Sequence, residues 1–314
     1  MVERKPARSF TRRFSRRFSL GLMAAALVAT GAMVEVRAVE EPDVVGGPTS
    51  FRRLNESQTK RAIAQIFGED ITVPGRFEPP VRENGLLAIG ESHVIVTPSG
   101  FEQTAVRARE IAAQVMSEGR RTRYLDCQPA VASQFDRDCA RSFYAKYGRQ
   151  LFRRPLSGLE MESVLRLGGQ ATAMTGSFTK GLEAGLAALL SSPAFTFRIE
   201  TSEPDPSRPG QRRLDAYSHA SRISFLLWDA PPDEALLDAA AQGDLHSREG
   251  LERQVARLMA SPRLEQGVRA FFSDMLAYDQ FEGLSKDPLL FPIFNPQLRN
   301  DAREQSLRTI VDHL

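Results

Sequence analysis

Apolar residues recur along this chain at the three- and four-residue spacing of amphipathic helices, separated by short polar or proline-bearing breaks. In "NESQTKRAIAQIFG", Ile63, Ile66 and Phe67 form a stripe. Asn55 stands at the N-cap position with Gln58 three residues on, and Gly68 supplies the stop. "TPSGFEQTAVRAREIAAQVMSEG" predicts a helix capped by Thr97 with Pro98 in its first position. "CARSFYAKYGRQLF" places Phe143, Tyr147, Leu151 and Phe152 at helical spacing, with Arg153 and Arg154 in the last turn, where positive charge suits exposed carbonyls. Pro155 ends that helix, and Ser157 with Glu160 forms a capping box for "GLEMESVLRLG".

The same device continues downstream. "SFTKGLEAGLAALLSS" aligns Phe178, Leu182, Leu186, Leu189 and Leu190, and Pro193 closes it. "FTFRIE" alternates and predicts an extended piece, as does "HVIVT" earlier in the chain. "TSEPDPSRPGQRR" is polar and proline-rich, and predicts a linker. Five helices follow: around "YSHASRISFLLW", at "PDEALLDAAAQG", at "SREGLERQVARLMAS", from Ser261–Pro262, and from Asn295–Pro296. The pattern predicts an all-α protein of multi-helix bundle modules with short irregular or extended connections. Its expected organisation is an export signal at 1–38, a helical module at 39–120, a cysteine-containing helical module at 121–203, a linker at 204–213 and a C-terminal helical module at 214–314. The last helix is still in phase at the final residue, which predicts partial exposure of Leu307, Ile310 and Leu314 and a module that continues further.

Charge changes the picture chiefly at the N-terminus. Of 41 basic and 39 acidic side chains, eight basic and two acidic ones lie in residues 1–38; removing them leaves 33 against 37, a net charge of −4. That balance argues against a nucleic-acid partner. The basic stretch ending at Arg17 is followed by the 15-residue apolar run "LGLMAAALVATGAMV" and by Ala38 as a cleavage position, the three parts of an export signal. The run is short for a membrane span, although an uncleaved anchor is the alternative. Arg16–Arg17 resembles a twin-arginine signal, and Ser19 leaves ordinary secretion open. The expected location is periplasmic or extracellular, with no stable membrane span after signal removal. In that oxidising setting the two cysteines, Cys127 and Cys139, are expected to pair as a structural disulfide.

Candidate chemistry is sparse. The four histidines are scattered, no HExxH, CxxCH or GxSxG motif occurs, and no glycine-rich stretch has phosphate-loop spacing. His219 reads as part of a polar helix face, and Trp228, following Phe225 and Leu227, reads as core. No catalytic, cofactor-binding or metal residues are assigned from the sequence.

"FRRLNESQTKRAIAQIFG", then "DCARSFYAKYGRQLFRRPLSGLE" with "GLEAGLAALLSSPAFTFRIE", then "LDAYSHASRISFLLWDAPPDEALLDAAAQGDL" through "LFPIFNPQLRNDAREQ" stand in a distinctive order. That order resembles, from about residue 51 to 314, the planctomycete-type family of secreted proteins built from domains of unknown function. The resemblance implies further modules after this stretch, one usually carrying a CxxCH haem attachment. It therefore implies a non-catalytic scaffold portion of a larger c-type-haem-associated protein, with no cofactor in this chain and haem c only in the region beyond it. An electron-transfer partner follows from the same resemblance. The alternative expectation is a cell-surface protein that binds or processes a cellulose-like polysaccharide.

Overall fold

A computed structural model describes residues 49–93 and 96–313, apart from the side chain of Glu282. The proposed signal segment lies outside the described residues, as do Val94, Ile95 and Leu314. The described chain is mostly helical. Its elements are β1 (Phe51–Arg53), α1 (Glu56–Phe67), α2 (Leu87–Gly90), α3 (Pro98–Val115), α4 (Arg137–Phe152), α5 (Gly158–Thr175), α6 (Phe178–Ser191), α7 (Pro193–Thr196), β2 (Phe197–Ile199), β3 (Ser202–Pro204), β4 (Arg212–Leu214), α8 (Ala216–Trp228), α9 (Glu234–Ala241), α10 (Arg248–Met259), α11 (Leu264–Met275) and α12 (Pro296–Val311).

The caps form where local sequence places them. Asn55 accepts from the Gln58 amide at 2.8 Å, and the Gln58 side-chain oxygen accepts in turn from the Asn55 amide at 3.2 Å. Ser157 and Glu160 make the same reciprocal pair at the start of α5. Thr97 and Asn295 cap α3 and α12, each followed by a proline. At α11 the device is displaced: Ser261 accepts from the Arg263 amide, and the helix begins only at Leu264.

Two apolar cores result. The first gathers Ile63 and Phe67 of α1, Ile111 and Val115 of α3, Phe143, Tyr144, Tyr147 and Leu151 of α4, Leu165 of α5, and Phe178, Leu182, Leu186 and Leu189 of α6. Each such side chain contributes roughly 1.5–3 kcal/mol by leaving water. The second core is smaller and joins Ala220, Ile223 and Trp228 of α8 with Leu236 of α9, Leu245 and Leu258. Trp228 is buried, and its indole N–H donates to the Leu258 carbonyl at 2.9 Å.

Helix α5 runs on past Gly168 and Gly169, where the sequence suggests a stop, and ends at Gly176 in the left-handed conformation. Gly185 of α6 explains how closely the helices of this core pack. A Cβ there would stand 2.1 Å from the Tyr144 hydroxyl oxygen, which lies instead against the Gly181 carbonyl at 3.1 Å.

Two short antiparallel ribbons complete the fold. β1 pairs with β2 with Arg52 opposite Arg198. The polar stretch expected to be a linker folds instead as a hairpin, β3 with β4. Its turn is built by Asp205, which accepts from the Ser207 amide and hydroxyl and from Arg208. The "FTFRIE" piece is only partly extended, because Ser192 and Pro193 first wind one helical turn that sends Phe195 into the core. The expectation for α12 is corrected at Leu307, which is buried; the helix lies along α11, fastened by Arg269 to Glu304 at 3.0 Å. Among the described residues no helix is long and apolar enough to cross a membrane.

Candidate functional site

A cleft of about 550 Å³ opens beside the first core, between the start of α1, the face of α3 that carries Gly100, Arg107 and Ile111, and the connection that carries Phe77, Pro79 and Pro80. Its floor is apolar, formed by Ile111, Leu190 and Phe195, and its rim carries Lys60, Gln103 and Thr104.

Arg53 organises one wall. Its Nη1 meets Glu78 at 2.6 Å and its Nε meets Glu91 at 2.9 Å, while its amide donates to the Glu91 carbonyl at 3.0 Å. Glu91 is buried, so the pairing satisfies a charge that would otherwise be costly to hold away from water. Glu78 also accepts from the Thr97 hydroxyl at 2.6 Å, close to the N-terminus of α3, where a negative charge is favoured. Gly100 permits that approach: a Cβ in its place would meet the Glu78 carboxylate at 2.4 Å.

Arg107 organises the other wall. It is buried, its guanidinium lies 3.7 Å from the centre of the Phe77 ring, and it donates to the carbonyls of Pro74 at 3.1 Å and Arg76 at 2.6 Å. Burial lowers its pKa, opposed by the charge of Glu56. Arg107 thus pins the Pro74–Arg76 stretch of the connection to α3. Glu78 and Glu91 already serve the Arg53 guanidinium and Glu56 the Lys60 ammonium, and the hydroxyls of Thr59 and Thr104 donate to the carbonyls of Asn55 and Gly100. This arrangement presents fixed hydrogen-bond groups around an apolar floor, which is a binding geometry.

The sequence-selected residues fall elsewhere. Cys127 and Cys139 form a disulfide with their Cα atoms 5.7 Å apart, tying the segment before α4 to its first turn. Covalent c-type haem attachment needs a pair of thiols and a histidine. The chain has two cysteines, already bonded to each other, so its residues do not fit that group. Asn55 borders the cleft through its cap. Arg154 makes a two-pronged pair with Glu160 at 2.8 and 2.9 Å.

Arg153 differs from a solvated helix end. It caps α4 in the left-handed conformation, φ 59°, and its buried guanidinium donates to the carbonyls of Leu151, Ala194, Phe195 and Phe197 at 2.6–3.3 Å. Burial, reinforced by Arg198 and then Arg154, pushes its pKa down to about 9. Pro155 follows directly on this turn. The run "RRP" therefore marks a structural junction joining α4, α7 and β2.

A seam of charged and polar pairs runs between the two cores. Asp229 ends α8 in the left-handed conformation and receives Gln58 at 2.6 Å as well as Arg61. Burial raises its pKa against the opposing pull of Arg61, Gln58 and Arg198. Glu200 takes Arg222 and the Ser50 amide, Arg149 meets Asp238 at 2.6 Å, Gln150 meets Glu234 at 2.7 Å, and Arg82 reaches Asp274 at 3.0 Å and Asp279. Sequence reasoning missed both this seam and the cleft. The one local sign was "RRL" ahead of a capped helix, which alone does not separate the two faces of a strand.

Residues 139–200 match the family described as PSD5, protein of unknown function (DUF1595), and residues 214–314 match PSD4, protein of unknown function (DUF1592). No curated protein and no solved structure matches the chain. The first match runs from Cys139, in the first turn of α4, through β2; the second begins at the end of β4 and takes in the whole of α8 to α12. These two stretches are similar to domains of unknown function, in the order expected from the sequence.

Proposed function

We propose that this chain is an exported helical scaffold, the portion of a c-type-haem-associated protein that holds its parts in a fixed relation. The observation that carries the reading is the seam. Asp229, Glu200, Arg61 and Arg222 are spent on joining two cores, and removing one partner of such a pair leaves the other unsatisfied. Export rests on the basic and apolar N-terminal stretches, and haem association on the family resemblance; the haem itself belongs to a partner region. The test is purification of the native protein from the cell exterior, followed by N-terminal sequencing and haem staining. A mature chain beginning at Val39 and a haem-positive polypeptide, continuous with or tightly bound to it, is the expected result. An unprocessed cytoplasmic chain free of haem would overturn the reading.

The cleft favours a second reading, a cell-surface polysaccharide-binding protein. Fixed carboxylates and amides around an apolar floor suit the hydroxyls and ring faces of a glycan. Retention on insoluble cellulose, reversed by soluble oligosaccharide, would support it. Passage of the folded protein through cellulose and related glycans without retention would sink it.

A further inference from the structure

Side chains alternate along a strand, so β1 sends Arg53 toward the cleft and Arg52 to the opposite face. There Arg52 stands directly across the ribbon from Arg198. Like charges in that position destabilise a two-stranded pairing unless something of opposite sign lies between them.

The charges of Glu200 and Asp229 act on Arg198 from nearby, but their hydrogen bonds go to other residues. Asp229 serves Arg61 and Gln58, and Glu200 serves Arg222 and the Ser50 amide. The Nε atoms of Arg52 and Arg198 are both buried and neither has a hydrogen-bond acceptor among the described residues. Each residue as a whole is half-buried. The Arg198 guanidinium is further oriented by Phe225, whose ring centre lies 4.5 Å away. Two planar forks held side by side, each with an unused donor, match the several oxygens of a tetrahedral anion.

We propose that Arg52 and Arg198 form an oxyanion-binding site for phosphate or sulfate at the junction of the two cores. Burial and the neighbouring Arg52 charge hold the Arg198 pKa down to about 10, which an anion in this position would relieve. The Arg52 side chain projects from a ribbon whose other face borders the cleft, so the anion would brace β1 from behind.

The test is isothermal titration of the full chain with inorganic phosphate, and separately with sulfate, in chloride buffer at fixed ionic strength. Saturable one-to-one binding by either anion is expected, weakened about tenfold or more in Arg52→Gln and in Arg198→Gln. Arg248→Gln, which alters an exposed arginine, should bind as the unaltered chain does. A response to phosphate alone or sulfate alone identifies the source while supporting the site. Absence of saturable binding to the unaltered chain would overturn the proposal, whatever the variants do. So would equal loss of affinity in Arg248→Gln, or acetate binding as tightly as both tetrahedral anions.

Discussion

Asp229, the left-handed residue that ends α8, turns its carboxylate onto Arg61 of α1, 168 positions earlier in the chain. Arg61 also donates to the Asp229 carbonyl at 3.1 Å, so backbone and side chain are held together. A non-glycine residue with positive φ is tolerated here because its surroundings fix it from several directions. Asp229→Ala should cost about 2–3 kcal/mol, since it strands Gln58 and Arg61 and keeps the strained backbone. Asp229→Asn should cost less, because asparagine accepts the left-handed conformation and can still receive Gln58. Urea unfolding of the two variants checks the order; equal costs would contradict it.

Glu160 gives a pH signature. Hydrogen bonding from Arg154, with further donation from the Ser157 amide and against some desolvation, holds its carboxyl at about 2, below the ordinary 4.5. A lowered folded-state pKa means stability that is present above the ordinary value and lost as pH falls through the folded one. Unfolding free energy should therefore decline between about pH 4.5 and 2, with Glu160 contributing on the order of 1–2 kcal/mol after solvent screening. Glu160→Gln should flatten that part of the curve; an unchanged slope would count against the assignment.

The disulfide should act mainly on the unfolded chain. Its cysteines are 12 positions apart, and closing such a loop is worth about 2–3 kcal/mol. Replacing both Cys127 and Cys139 by alanine should lower the urea midpoint accordingly. Preserved far-UV circular dichroism would show that the helices themselves remain.

Packing at Gly185 has little room to adjust. A methyl group there meets the Tyr144 hydroxyl and ring, both inside the core. Gly185→Ala should destabilise by about 1–3 kcal/mol despite the better helix propensity of alanine. Tyr144→Phe in the same chain should recover part of that loss by removing the clashing oxygen. Thermal unfolding of the single and double variants decides between the two outcomes.

Local rules made much of the fold legible. The Asn55–Gln58 and Ser157–Glu160 boxes and the cap-then-proline starts at Thr97 and Asn295 each depend on residues within one helical turn, and all four form. The disulfide followed from cysteine count and the expected compartment. What stayed hidden depends on partners far apart in sequence. Nothing near Arg153 announces that the carbonyls of Ala194 and Phe197 will surround it. The 204–213 stretch looks like a linker because prolines and charges dominate it, yet Asp205 supplies a side-chain-built turn and the ribbon closes. Helix α5 survives two glycines because Gly168 faces Tyr144 and Phe135 at a distance no Cβ would allow, so tertiary packing overrides local propensity. The cleft was hidden for the same reason: Arg53, Glu78, Glu91 and Arg107 meet only once the connection folds over α3.

The seam should make the two cores unfold as one frame. The single tryptophan, Trp228, reports on the smaller core, while far-UV circular dichroism reports on all the helices. Urea titration followed by both signals should give one midpoint, with Asp229→Ala shifting the two together or beginning to separate them. Loss of the Trp228 signal at clearly lower urea in the unaltered chain, with most of the helical signal intact, would contradict a joined frame.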